Sequence, residues 1–351
     1  MRKYIFLVAL CFSIGGGLAI NAQAAENSVE LGIHGFVDMS YVTNDTAAVT
    51  DDAAATKAST DRASFGMDSA EIDFTGKTGD KASFRIDIDF TETESGVEQG
   101  FIAVTPSEKI TLTLGKFNAP IGFELLDAPD MYQYSHAMVF DYGLPTNLTG
   151  FMGHFNGGIF DIAAYYVNGM DNNTDNNKDK TVGTRVGLSP AEGINLGISF
   201  LTGATSDDKD AQGDPVTTTL DKTTITDVDF TIKSVKNLLI GGEYNMGVIE
   251  SSGGTSKWDG MLVMANYAIN DTFGLTLRYD TFNDTNGAVF GSGSEEKRSS
   301  ITVSPSMSIA EGLGLLVEYR STSSDKEAWV DKDGAGKKSQ SVIAAEMTYS
   351  F

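Results

Sequence analysis

Glu124, Asp127, Asp130 and Asp141 lie in a stretch, 118–148, that contains no Lys or Arg. Carboxylates grouped without counter-cations raise the local concentration of cations and repel anions. Elsewhere, arginines stand two residues from carboxylates: Arg85 beside Asp87, Arg278 beside Asp280, Arg320 beside Glu318. Residues two apart share one face of a strand. An acidic segment facing Arg85, Arg278 or Arg320 across a narrow polar space would create a transverse field that orients polar solutes. Glu124 and Asp127 could instead only fasten the segment to a wall through hydrogen bonds, and the residue types leave both roles open.

Other chemistry is weaker. Asp171, Asn173 and Asp175 space oxygen ligands as a calcium loop does, with Asp179 at the ninth position. Asn176 and Val182 stand where such a loop needs Gly and Glu, so at most a weakly bound surface Ca²⁺ is expected there. A solvated polar loop is the plainer reading. Asp207, Asp208, Asp210 and Asp214 form a second acidic stretch that would repel anions at a channel mouth. No other metal or cofactor is expected. His34, His136 and His154 are the only candidate bases. Ser135 and His136 are adjacent, which seldom lets the side chains meet productively. No nucleophile motif is present, so no catalytic residue and no enzyme is expected.

These groups need elements to hold them. The 351 residues carry 25 Lys+Arg against 48 Asp+Glu, a formal charge of −23, which argues against a nucleic-acid partner. The one cysteine, Cys11, excludes a disulfide framework and a zinc ribbon. Arg2 and Lys3, the apolar run to Ile20, and Ala22-Gln23-Ala24 make a secretory signal peptide over 1–24. A single domain, 25–351, follows.

Beyond the signal, apolar residues recur with period two. Ala82, Phe84, Ile86, Ile88 and Phe90 alternate with Ser83, Arg85, Asp87, Asp89 and Thr91. Phe273, Leu275, Leu277 and Tyr279 alternate with Gly274, Thr276, Arg278 and Asp280. Such segments are strands with one apolar and one polar face. Sixteen of them run from 31–43 to 339–351. Their connectors mostly alternate short and long; 118–148 is the longest, 249–256 one of the others, and 94–97 the exception. That pattern predicts an all-β, antiparallel up-and-down transmembrane barrel with short periplasmic turns and longer extracellular loops. A soluble sheet would show the same alternation, but no helices remain to cover its apolar face.

Charge at mid-bilayer costs roughly 2–4 kcal/mol, so the polar face must turn to a wet lumen. The inward set then includes Asp38, Glu71, Asp73, Asp87, Asp89, Asp161, Asp227, Asp229, Glu243, Asp280, Glu318 and Glu346. With it come Arg85, Arg185, Arg278, Arg298 and Arg320. The pore lining is expected to use Asp87, Asp89, Arg185, Asp280 and Glu318. Phe90, Phe151, Phe155, Tyr166, Phe200, Phe282 and Tyr349 are expected in the interfacial aromatic girdles. The last strand ends on Phe351, with Tyr349 on the same face, and is similar to the signal read by the bacterial barrel-assembly machinery.

The stretch 118–148 is long enough to fold into the lumen. It is rich in apolar and aromatic residues that would rather pack than stand in water. Gly115-Lys116-Phe117, Pro120, Gly122, Glu124, Asp127, Pro129, Tyr134-Ser135, Phe140, Tyr142-Gly143, Pro145 and Thr149-Gly150 resemble the matching segment of the OmpL-like β-barrel porins, a group similar to the phosphate-selective porins. The resemblance implies a sixteen-stranded outer-membrane porin with an inward-folded third loop, and a homotrimer. Passive diffusion of ions and small hydrophilic solutes through a water-filled channel would follow. The expected surroundings are membrane lipid and lipopolysaccharide. Phosphate selectivity needs a basic lumen; the acidic loop and inward carboxylate excess predict cation preference instead. A plugged structural or adhesive barrel is the rival reading.

Overall fold

The computed structural model describes residues 29–48, 63–175, 177–205 and 221–351. The expected signal peptide, 1–24, and the acidic stretch 207–214 lie outside the described residues. Sixteen strands form one closed antiparallel barrel. They are β1 (Glu30–Asn44), β2 (Ala63–Thr78), β3 (Ala82–Phe90), β4 (Ser95–Ser107), β5 (Ile110–Asn118) and β6 (Asn147–Asn156). β7 (Phe160–Val167), β8 (Thr181–Ala191), β9 (Ile194–Ala204), β10 (Lys222–Val235) and β11 (Leu238–Ser251) follow. β12 (Gly254–Ala268), β13 (Phe273–Asp284), β14 (Glu296–Ala310), β15 (Leu313–Ser324) and β16 (Ser339–Ser350) complete the ring.

Each strand pairs with its neighbours in sequence, and β16 closes on β1 from Phe36↔Ser350 to Asn44↔Val342. Gly35 and Phe351 exchange backbone hydrogen bonds of 3.2 and 3.0 Å across the seam. Closure leaves no sheet edge to expose unpaired amides to lipid.

Burial is inverted relative to a soluble protein. Val37, Met39, Ile102, Leu114, Ile198, Val263, Leu277, Ile301, Ile343 and Met347 are exposed on the outer face. Asp38, Glu71, Asp87, Asp227, Glu243, Asp280, Glu318 and Glu346 are buried within. Strand parity therefore places the inward charges as expected. Phe90, Phe151, Phe155, Tyr166, Phe200 and Tyr349 are exposed. Phe282 is a correction: it is 1 % exposed and packs inside the barrel. It shares the parity of Arg278 and Asp280, and the loop gives an inward aromatic ring a surface to pack on.

The connector expected at 249–256 is a second correction. β11 and β12 stay paired through Ile249↔Ser256 to Ser251↔Gly254, so only Ser252 and Gly253 turn. Above the bilayer a strand needs no apolar face, so the hydropathy pattern fades before the ladder ends. Trp329–Val330 pairs with both Ala47–Ala48 and Gly336–Lys337 in a small separate sheet. Among the described residues one α-helix occurs, α1 (Met138–Gly143), in the long loop.

Candidate functional site: the loop in the barrel lumen

The loop leaves β5 at Asn118 and returns to β6 at Asn147. Gly122 takes φ +87°, a conformation L side chains rarely adopt. A Cβ there would meet Leu144 at 2.5 Å and Glu243 Oε2 at 3.1 Å. This bend brings the Phe123 amide within 2.7 Å of Glu243 Oε2 on β11. Phe123 and Tyr132 then pack on Leu239, Leu262 and Met264 of β11 and β12. Met138 joins Phe117, Leu148, Leu201, Trp258 and Phe282 in a larger apolar cluster. The wall is apolar where these side chains pack, which relieves them of water.

The strongest polar contacts gather on β13 and β15. Arg278 is completely buried. Its Nη1 donates to Glu124 Oε1 at 2.7 Å and to the Ser135 carbonyl at 2.6 Å. Its Nη2 donates to Ser135 Oγ and the His136 carbonyl, each at 3.1 Å. Nε lies 3.3 Å from Asp280 Oδ1. Arg320 donates to the His136 carbonyl at 2.8 Å and lies 3.4 Å from Asp280 Oδ2. Glu318 accepts from the Ser135 hydroxyl at 2.6 Å. Glu124 Oε2 accepts from the Ala137 amide at 2.7 Å, and Asp280 Oδ2 from the Met138 amide at 3.1 Å. Loop amides that the barrel ladder cannot serve are thereby satisfied by wall carboxylates, and loop carbonyls by wall arginines.

The loop also reaches other walls. Tyr134 and Ser40 of β1 bring their hydroxyls within 3.4 Å. Asp127 offers a carboxylate oxygen within 4.8 Å of oxygens on Glu71 of β2 and Glu98 of β4. Burial, then the charges of Glu98 and Asp130, push the Asp127 carboxyl up to about 7. Glu71, Asp73 and Asp87 form an adjoining group of carboxylates. Arg85 holds Asp87 at 2.7 Å and Asp73 at 3.4 Å. Gln99 donates to Asp87 at 2.6 Å and accepts from the Asn118 amide at 2.9 Å.

The structure thus joins Glu124, Arg278, Asp280, Glu318 and Arg320 in one network and sets Asp127 near Arg85 and Asp73, with Asp87 in the adjoining group. Glu124 meets Arg278 by direct contact. Asp130 is exposed beside a cavity of about 170 Å³ lined by Phe123, Leu125, Tyr132 and Met264. Asp141 sits on α1 with no ion pair among the described residues, beside the charges of Arg320, Glu124 and Arg278. Arg185 pairs with Asp229 at 2.5 and 2.9 Å, and Asp89 accepts from Ser69. Asp171 Oδ1 caps the loop's return by accepting from the Thr146 amide and hydroxyl and the Asn147 amide, at 2.8–2.9 Å. Asp175 pairs with Lys180. Asp171 and Asp175 of the candidate calcium loop therefore have other partners.

Sequence reasoning missed Glu98. Strict parity sets it with Ile102 and Val104 on the lipid face. A bulge shifts the register from Asp87↔Gln99 to Ile88↔Val97 and turns Glu98 inward. A lone charge on an otherwise apolar face was the available signal. Nothing in the sequence marks Ser135 as an anchor; its hydroxyl donates to Glu318 and accepts from Arg278.

A closed sixteen-stranded barrel, apolar outside and charged inside with an infolded loop, defines the porin class of outer-membrane proteins. The family described as "beta-barrel porin-2, OmpL-like" matches residues 30–351. The chain belongs to that family, and its place is the bacterial outer membrane. Comparison with curated proteins finds no match. Solved structures share the fold at low identity. An anion-selective porin from Comamonas acidovorans superposes with a TM-score of 0.67 at 11 % identity, covering 92 % of this chain and 100 % of that one. The trimer form of OmpT, an outer membrane protein of Vibrio cholerae, gives 0.65 at 13 %, covering 93 % and 100 %. The outer membrane channel DcaP of Acinetobacter baumannii gives 0.65 at 14 %, covering 93 % and 99 %.

Proposed function

We propose that the chain is a cation-preferring diffusion channel for ions and small hydrophilic solutes, assembled as a homotrimer. The carrying observation is the inward charge balance. The inward arginines all have carboxylate partners: Arg85, Arg185, Arg278, Arg298 and Arg320 each lie within 3.5 Å of one. The solvent-facing loop carboxylate Asp130 has no ion-pair partner among the described residues, so the accessible lumen keeps a negative excess. Such an excess attracts cations and repels anions. Glu124 and Arg278 fix the loop, while exposed Asp130 faces the solute and Asp141 lies beside the Arg278 network. The trimeric Vibrio protein of like fold supports the assembly. The exposed aromatic end of β16, Tyr349 and Phe351, supports recognition by the barrel-assembly machinery. Lipopolysaccharide would surround the outer rim.

A transport role, not catalysis, fits the Ser135 and His136 geometry. His136 Nε2 contacts the Leu125 carbonyl at 2.9 Å and its ring stacks on Phe140, while Ser135 Oγ donates to Glu318.

A plugged barrel is favoured by one observation: lumen residues on strands far round the ring from β13, such as Thr113 on β5 and Asp87 on β3, are also buried. Single-channel recording in a planar bilayer under a KCl gradient separates the readings. Stepwise conductance with a reversal potential of cationic sign is expected. An anionic sign overturns the selectivity, and silence from folded protein overturns the channel.

A further inference from the structure

We infer that Glu71, Glu98 and Asp127 form a divalent-cation site, suited to Ca²⁺, that staples the loop to the wall of β2 and β4. Their carboxylate oxygens lie within 4.8 Å of one another, and Glu71 also shares the adjoining group with Asp73 and Asp87. Glu71 is only 2 % exposed, and its Oε1 has no hydrogen-bond partner. Glu98 Oε1 and Asp73 Oδ1 are likewise buried and unpartnered. Leaving several carboxylate oxygens dry and unpaired is costly, and native proteins pair such groups, hold them protonated or place them on a metal.

The protein's own cations do not serve this group. Arg85 is engaged by Asp87 and Asp73. No Lys or Arg pairs with Glu71, Glu98 or Asp127 among the described residues. Five carboxylates therefore share one guanidinium. The donors are all carboxylate oxygens, with no His or Cys, which suits a hard cation. Ca²⁺ accepts irregular oxygen shells that Mg²⁺ does not. The bulge that turns Glu98 inward supplies the third ligand. β3 and β11 stand opposite in the ring of sixteen, so the ion would fix the loop across the lumen from its hydrogen bond to Glu243. The site stands whether or not the barrel conducts.

The test uses the full chain folded in detergent, stripped with EDTA and titrated with CaCl₂ by calorimetry. One saturating Ca²⁺ per chain is expected. Glu98→Gln and Asp127→Asn, checked for folding by circular dichroism and heat-modifiability, should each weaken it at least about tenfold, since affinity follows ligand charge. Asp171→Asn should leave it unchanged. Ca²⁺ should also raise the temperature at which the wild-type band shifts, and not that of the two variants. No binding up to about 10⁻³ M, the weak end of protein Ca²⁺ sites, overturns the site. So does unchanged affinity in both folded variants, or loss with Asp171→Asn.

Discussion

The loop meets the barrel in two chemically opposite ways. On β13 and β15, Arg278 and Arg320 stand among Glu124, Asp280 and Glu318, and loop amides complete the shell. On β2 to β4, carboxylates outnumber cations and several oxygens have no donor. The residue types are alike on both sides; the ratio of donors to acceptors differs. The first contact is served mostly by donors of the chain itself, with Arg278 Nε and Asp280 Oδ1 held by charge alone, and the second is where the inferred cation would supply what the donors do not.

Removing the centre of the complete side should have the largest effect. Arg278→Met would leave Glu124 buried without its cation and Asp280 with only Arg320 at 3.4 Å, at a cost of about 3–5 kcal/mol. Equilibrium urea unfolding in lipid vesicles measures it; a loss below 1 kcal/mol would mean that the network does not hold the loop. Phe282→Ala should cost nearly as much, about 3–5 kcal/mol for an aromatic ring in a packed interior. Lipid-facing Phe200→Ala, in the same assay, should lose well under half of that. Equal losses would put Phe282 on the wrong face. Glu124→Gln keeps an acceptor for the Ala137 amide but loses the charge of the bond to Arg278, so about 1.5–3 kcal/mol is expected. More frequent current fluctuation should accompany it in single-channel traces if the loop loosens. Ser40→Ala touches only the 3.4 Å contact with Tyr134 and should change stability by less than about 1 kcal/mol. A larger change would make the β1 contact a third anchor.

Much of the barrel is legible residue by residue. Alternation along 82–91 and 273–280 fixes which side chains face lipid, because a strand has only two faces. The same parity places Arg278, Asp280, Glu318 and Arg320 in the lumen. Pairing within the lumen is not legible. Nothing in the spacing of Glu124 and Arg278, 154 positions apart, says that they touch and do not face each other across water. The end of β11 and the inward turn of Glu98 were hidden for a related reason: ladder pairing and bulges are settled by the neighbouring strand.

By itself, the sequence determined the strand count, the two faces and an acidic, arginine-free loop too apolar to remain in solvent. These follow from local periodicity and composition. Only the tertiary structure decided that Arg278 is consumed in seating the loop, that Phe282 packs inward, and that Glu98 joins Glu71 and Asp127. Those outcomes depend on which distant donors and acceptors the closed ring brings within 3 to 5 Å, and chain spacing carries no record of that distance.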